Sequence, residues 1–184
     1  MKKVMISLVM CLMTLISNAQ VMTSASVNHL IDSAIRDGEA GFVRNTCRDA
    51  HGDITMMEVY REQVKHKGDS IRKPIFRYEY QYAADGMLTS RTKFVWRKSQ
   101  WRCIGRFDYS LENGIYTVSY SRWNKSKASF GQPVGQISYT LLPDESIASV
   151  SYYSRHRHGD ALTLEWQALV DSHSDHMNYY ITQK

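Results

Sequence analysis

The sequence predicts an all-β protein: an antiparallel up-and-down meander of about nine or ten strands, built from degenerate hairpin units, after a short N-terminal helix or arm. Three observations carry that prediction. From Phe42 onward the apolar residues recur with period two, most clearly at Phe76, Tyr78, Tyr80 and Tyr82, which alternate with Arg77, Glu79 and Gln81. Glycine follows Asp85 and Asn113, where a tight hairpin needs a positive φ. The turns at Gly86, Gly114 and Asp144 are 28 and 30 residues apart, about the length of two long strands and two turns. Short connections join antiparallel neighbours, so the strands follow one another through a sheet that is either open or curled.

The elements follow in order. Met1-Lys2-Lys3 is a basic start, Val4 to Ile16 is apolar, and Ser17-Asn18-Ala19 places small residues at a cleavage site before Gln20. Residues 1–19 therefore read as a signal peptide, too short to span a bilayer, and the protein is expected to be exported to the periplasm or beyond. Leu8-Val9-Met10-Cys11 resembles a lipobox, but Met10 is bulky and the apolar run continues past Cys11, so the reading is against lipidation. Residues 20–41 form the arm or short helix, with Val27, Leu30, Ile31, Ala34 and Ile35 at helical spacing and Ser26 as its cap.

Residues 42–184 read as a single β-meander domain. Strands are expected at Phe42–Cys47, Ile54–Val64, Phe76–Tyr82 and Met87–Trp96, with turns at Asp49–Asp53 and Ala84–Gly86. Arg97–Gln100 turns the chain into Trp101–Tyr109, where Trp101, Cys103, Phe107 and Tyr109 share one parity. Glu112–Gly114 leads to Ile115–Trp123, and a longer loop, Asn124–Pro133, is expected to separate this pair from the next. Ile137–Leu141, Ile147–Tyr153 and Leu162–Val170 complete the meander, with turns at Pro143–Glu145 and Arg157–Asp160.

Composition agrees with one exported domain. The chain has 184 residues, 11% aromatic, which argues against intrinsic disorder. Its formal charge of +5 falls to +3 when Lys2 and Lys3 leave with the signal. Lys65, Lys67, Arg72, Lys73 and Arg77 form the densest basic stretch, interrupted by Asp69, and read as a solvated strand edge and loop. No long basic block offers counterion release, so nucleic acid is not an expected partner. No stable membrane span remains after cleavage.

Tyr78-Glu79-Tyr80-Gln81-Tyr82-Ala83-Ala84-Asp85-Gly86-Met87-Leu88-Thr89-Ser90 resembles a unit of YD/RHS-type hairpin repeats. Trp96, Trp101, Tyr120-Ser121-Arg122-Trp123-Asn124 and Tyr139 more closely resemble a group of exported Bacteroidales domains of unknown function, DUF3836, over roughly Phe42 to Val170. That resemblance implies an exported β-rich domain and no activity.

No catalytic motif is present: the sequence has no G-x-S-x-G elbow and no phosphate-cradling glycine loop. Glu58, Glu62, Glu79, Asp108, Glu145 and Glu165 are scattered, and nothing selects a pair for glycoside hydrolysis. Asp171, His173, Asp175 and His176, with His156 and His158, lack fixed ligand spacing, so no metal or other cofactor is expected. Cys47 and Cys103 remain after cleavage, on the first and fifth strands. Four interstrand steps separate them by about 19 Å in an open sheet, against about 4.4–6.8 Å for a bridge, so no disulfide is expected.

The aromatic residues hold the functional information. Trp96, Trp101 and Trp123 are the candidate ligand-binding residues, because the Trp96–Trp101 pair flanks a turn at a sheet end, where core cover is thinnest. The expected function is a non-catalytic, exported β-domain that binds a glycan or envelope protein through an aromatic face. The alternatives are a structural or assembly protein whose aromatics are core, and a small envelope hydrolase.

Overall fold

The computed structural model describes residues 21–64, 70–144, 146–156, 161–170 and 179–183. The signal segment, Lys65, Lys67, Asp69, Glu145, the Arg157–Asp160 turn and the Asp171–His176 cluster lie outside these residues. Helix α1 (Ser24–Arg36) precedes β1 (Phe42–Arg48), β2 (Ile54–Val64), β3 (Ser70–Tyr82), β4 (Leu88–Arg97), β5 (Gln100–Glu112) and β6 (Ile115–Asn124). Then come β7 (Ser129–Leu141), β8 (Ile147–Arg155), β9 (Leu162–Val170) and a short β10 (Tyr179–Gln183). Hydrogen-bonded neighbours follow chain order from β1 to β10, the expected antiparallel meander. The chain forms two compact units, one of residues 22–109 with 118–135, the other of 110–117 with the described residues from 136 onward.

In the first unit, α1 begins earlier than its apolar spacing suggests. Thr23, not Ser26, is the cap: its Oγ1 accepts from the Ser26 backbone N–H at 3.2 Å. The cause is tertiary. Thr23 bridges Met87, Ser24 N donates to Gly86 O, and Leu88 N donates to Met22 O, each hydrogen bond 2.8 Å. The β3–β4 turn therefore sets where the helix starts. Val27 and Ile31 then pack on Ile54, Tyr80 and Leu88, a core bordered by Met22, Met57, Tyr78, Tyr82 and Tyr109. Asn28 fastens the helix to β2, accepting from Ile54 N at 2.8 Å and donating to Asp53 at 3.0 Å.

Cover is thin elsewhere in this unit. Residues 91–96 of β4 are half-buried on both faces, rather than alternating buried and exposed. Side chains lying flat on rings supply the missing layer. On the face that carries α1, Lys93 Nζ sits 4.3 Å from the Phe76 ring centre and the Arg91 guanidinium 4.8 Å from that of Phe107. Each such contact contributes about 0.5–1 kcal/mol, more where water is excluded.

Two departures from the sequence pattern matter here. Lys93 pairs with Gly105 but Phe94 pairs with Cys103, so Ile104 is an extra residue in a β-bulge. The bulge reverses parity within β5. Trp101 and Cys103 therefore share the face of Phe94, while Phe107 lies on the α1 face opposite Arg91, which corrects the single-parity expectation. The expected Asn124–Pro133 loop is also shorter: residues 125–128 turn, and β7 starts at Ser129 and runs through Pro133. Phe130 packs edge-on against Trp123 at 5.0 Å, with Arg106 4.4 Å above its ring, and these contacts hold the segment in the sheet despite its composition.

In the second unit, Ile147, Val150 and Ala168 are buried, and Tyr152 lies 6.0 Å from Trp166 across the β8–β9 pair. Asp144 organises its turn by accepting from Ser146 N at 3.0 Å and Ser146 Oγ at 2.6 Å, which lowers its pKa. Asn113 and Gly114 have φ of 51° and 73°, the left-handed pair of a tight hairpin.

Burial raises the pKa of Tyr80, Tyr82 and Tyr109 above 10.0, so folding retains phenol protons that the unfolded chain releases near pH 10. Stability from these groups is complete below pH 10 and declines as pH rises beyond it. Tyr80→Phe should flatten that alkaline decline in urea-unfolding midpoints measured from pH 8 to 12. Gly105 is a second test, because a Cβ there would lie 2.5 Å from Tyr120 Oη and 2.8 Å from the Ser121 carbonyl oxygen. Gly105→Ala should cost about 1–3 kcal/mol in urea denaturation. Tyr120→Ala should not fully rescue it, since the carbonyl clash remains.

Candidate ligand-binding face

The Ile104 bulge and the β4–β5 turn together build this face. Arg97 and Gln100 close a two-residue hairpin in which Lys98 and Ser99 have φ of 51° and 58°. That turn type suits the strand twist and normally recruits Asn-Gly, so Lys-Ser occupies it under strain. The tight turn sets Trp96 opposite Trp101, with ring centres 5.0 Å apart and planes at 70°. Edge-to-face packing holds both indoles in one orientation.

Trp101 and Trp123 line one open depression of about 420 Å³ with Phe94, Arg102, Cys103 and Lys125. Trp96 does not line it, but buttresses Trp101, as Phe130 buttresses Trp123. The three candidate tryptophans are thus joined in one aromatic surface, all of them half-buried. Phe94, Phe130 and Cys103 are residues that the sequence reading missed. Parity along β5 does place Cys103 on the face of Trp101, but nothing in the sequence joins it to Phe94 and Trp123. Burial pushes the Cys103 thiol pKa up, which leaves it a weak nucleophile.

The cations near this face fall into two groups. Arg77 and Arg106 lie over Phe94 and Phe130, and each is compensated in place. Arg77 pairs with Glu79 at 2.8 Å, and Arg106 Nε is 2.7 Å from Asp108, an ion pair too bent to be a hydrogen bond. Lys125 and Arg102 border the depression, although Arg102 pairs with Val95 and so leaves β5 on the α1 face, and neither has a carboxylate partner among the described residues. Arg102 also keeps its Nε buried with no hydrogen-bond acceptor.

The described candidate carboxylates have structural partners. Glu58 accepts from the Tyr60 hydroxyl, which raises the tyrosine's pKa, and Glu62 pairs with Arg72 at 3.4 Å. Glu165 accepts from Ser154 and lies 3.4 Å from His156. A second depression, about 680 Å³, lies beside α1 and includes Asp49, His51 and Asp53. Its polar groups are spent on structure: Asp49 accepts from the His51 and Asp53 backbone, and Asp53 accepts from Asn28. Among the described residues, no group of three His, Cys, Asp or Glu is placed to hold a metal ion. Cys47 is exposed on β1 and Cys103 half-buried on β5, both unbridged.

The Trp96–Trp101 pair should show an energetic coupling of about 0.5–1 kcal/mol in a double-mutant cycle to Ala, measured by urea denaturation.

Among solved structures, the chain is similar to a protein of unknown function from Bacteroides fragilis, with 25% identity and a TM-score of 0.61, covering 73% of this chain and 94% of that one. Two DUF3836 family proteins also match. One, from Bacteroides vulgatus, has 17% identity and a TM-score of 0.43, covering 49% of this chain and 88% of that one. The other, from Parabacteroides distasonis, has 21% identity and a TM-score of 0.41, covering 49% and 81%. No curated protein matches the chain. The family of unknown function DUF3836 matches residues 1–140, and the protein belongs to that family.

Proposed function

We propose that the protein is a non-catalytic, exported carbohydrate-binding domain that stacks a glycan on Trp101 and Trp123. One observation carries this reading: two indoles line the same shallow depression, and each is held edge-on by another ring. A sugar presents an apolar C–H face and a polar rim, so it needs a flat, fixed ring with hydrogen-bonding groups beside it. Rings already immobilised lose little entropy on binding, which favours affinity from a small surface. A volume of about 420 Å³ suits one or two sugar rings and is open enough for a chain to continue beyond them. The engagement of the candidate carboxylates by neighbouring groups supports the non-catalytic part of the reading. The basic, apolar, small-residue N-terminal pattern supports export, and no described helix is long and apolar enough to cross a membrane.

The test is a glycan array followed by calorimetry with Trp101→Ala and Trp123→Ala. Each should lose tenfold or more in affinity, as truncated aromatic anchors do, while circular dichroism stays unchanged. Binding that survives both substitutions overturns the site. Association that grows with protein concentration and needs no glycan favours the assembly reading.

A further inference from the structure

We infer that the glycan is acidic, bearing carboxylate or sulfate groups, and that the turns beside Trp101 and Trp123 form its cationic clamp; this rests on the carbohydrate reading above. The inference comes from how the meander sorts charge. In an antiparallel order, alternate turns lie at the same end of the sheet. The β4–β5 and β6–β7 turns thus share an end, and with their flanking residues, 94–103 and 122–130, they carry Arg97, Lys98, Arg102, Arg122, Lys125 and Lys127 and no acid. At the other end, the corresponding turns with their flanks, residues 45–57 and 79–91, carry Asp49, Asp53, Glu79 and Asp85 against Arg48 and Arg91.

The ten residues of β4 separate these ends by about 33 Å. The Debye length is about 8 Å at physiological ionic strength, so the aspartates do not cancel the cationic end. Arg97, Lys98, Lys125 and Lys127 are exposed and, among the described residues, are in no ion pair. On the indole face, the ring-covering Arg77 and Arg106 have carboxylates, whereas the turn residues Lys98, Lys125 and Lys127 have none among the described residues.

The backbone adds an independent sign. Lys98 and Ser99 hold left-handed φ values where Asn-Gly would be relaxed. A cationic side chain is thus kept at a strained position directly between Trp96 and Trp101 in the chain. Neutral sugars would need the stacking surface alone. An acidic sugar needs both the indoles and the unpaired charge, and this end of the sheet offers them together.

The experiment compares the mature chain on polygalacturonate, chondroitin sulfate, uncharged dextran and single-stranded DNA, each at 50 and 200 mM NaCl. At least one of the two acidic glycans should bind tenfold or more tighter than dextran, weaken several-fold at the higher salt and bind more tightly than DNA. The two acidic arms separate carboxylate from sulfate preference. Lys98→Ala with Lys125→Ala should reduce acidic-glycan affinity about tenfold, whereas Asp85→Asn should leave it unchanged. Lys98→Asn with Ser99→Gly relaxes the turn, so its melting temperature should hold or rise while acidic-glycan binding falls. Equal affinity for dextran and the acidic glycans overturns the charge inference but leaves carbohydrate binding standing. Equal affinity for DNA also overturns it, by showing a generic polyanion site. Retention of no glycan sinks both readings.

Discussion

The constraint on which the first unit depends is that, among the described residues, α1 alone packs on its sheet as a helix. Val27 and Ile31 bury Ile54, Tyr80 and Leu88 at one end of one face, and the other described strand residues are stabilised within the sheet. Stacked rings and cations do that work. Phe76, Tyr78 and Phe107 lie beneath Lys93 and Arg91 on one face, and Phe94 and Phe130 beneath Arg77 and Arg106 on the other. A long cationic side chain suits this task because its stem covers apolar surface while its charged head reaches water or a carboxylate. The same arrangement explains why so many strand residues are half-buried, and why aromatic rings remain reachable.

From that constraint the candidate site follows by local geometry. A single extra residue, Ile104, turns Trp101 away from Phe107 and towards Phe94. Gly105, next in the chain, is buried and leaves room on the α1 face for Tyr120, which lies 4.9 Å from Phe107. Bulge and glycine together let β5 serve a packed aromatic stack on one face and an open indole surface on the other. Neither residue touches the depression, yet both set its composition.

Belonging to DUF3836 accounts for the fold but assigns no chemistry, so the functional reading rests on this chain's own residues. The indole end combines rings held by rings with exposed turn cations and no acid in the turns themselves. On the other face, Arg91 and Lys93 are also without carboxylates, but they are spent on covering Phe76, Tyr78 and Phe107.

By itself the sequence determined the all-β class, most of the strands and their order in the sheet, because period-two alternation and Asp-Gly or Asn-Gly turns are local properties of the backbone; it did not show the Ser70–Pro74 start of β3 or the short β10. It also set Trp96 and Trp101 on either side of one turn, while the structure shortened that turn to Lys98–Ser99 and so paired the two indoles directly. The tertiary structure decided what local pattern cannot encode. The Ile104 bulge depends on how β5 fits against β4, so parity counted from Trp101 to Tyr109 put residues on one face that the sheet separates. Thr23 became the helix cap because Met22 and Ser24 pair with the β3–β4 turn, and Ser129–Pro133 became strand because Phe130 packs on Trp123. Trp101 and Trp123 are 22 residues apart in the chain, and only their packing on a common face brings them to one depression.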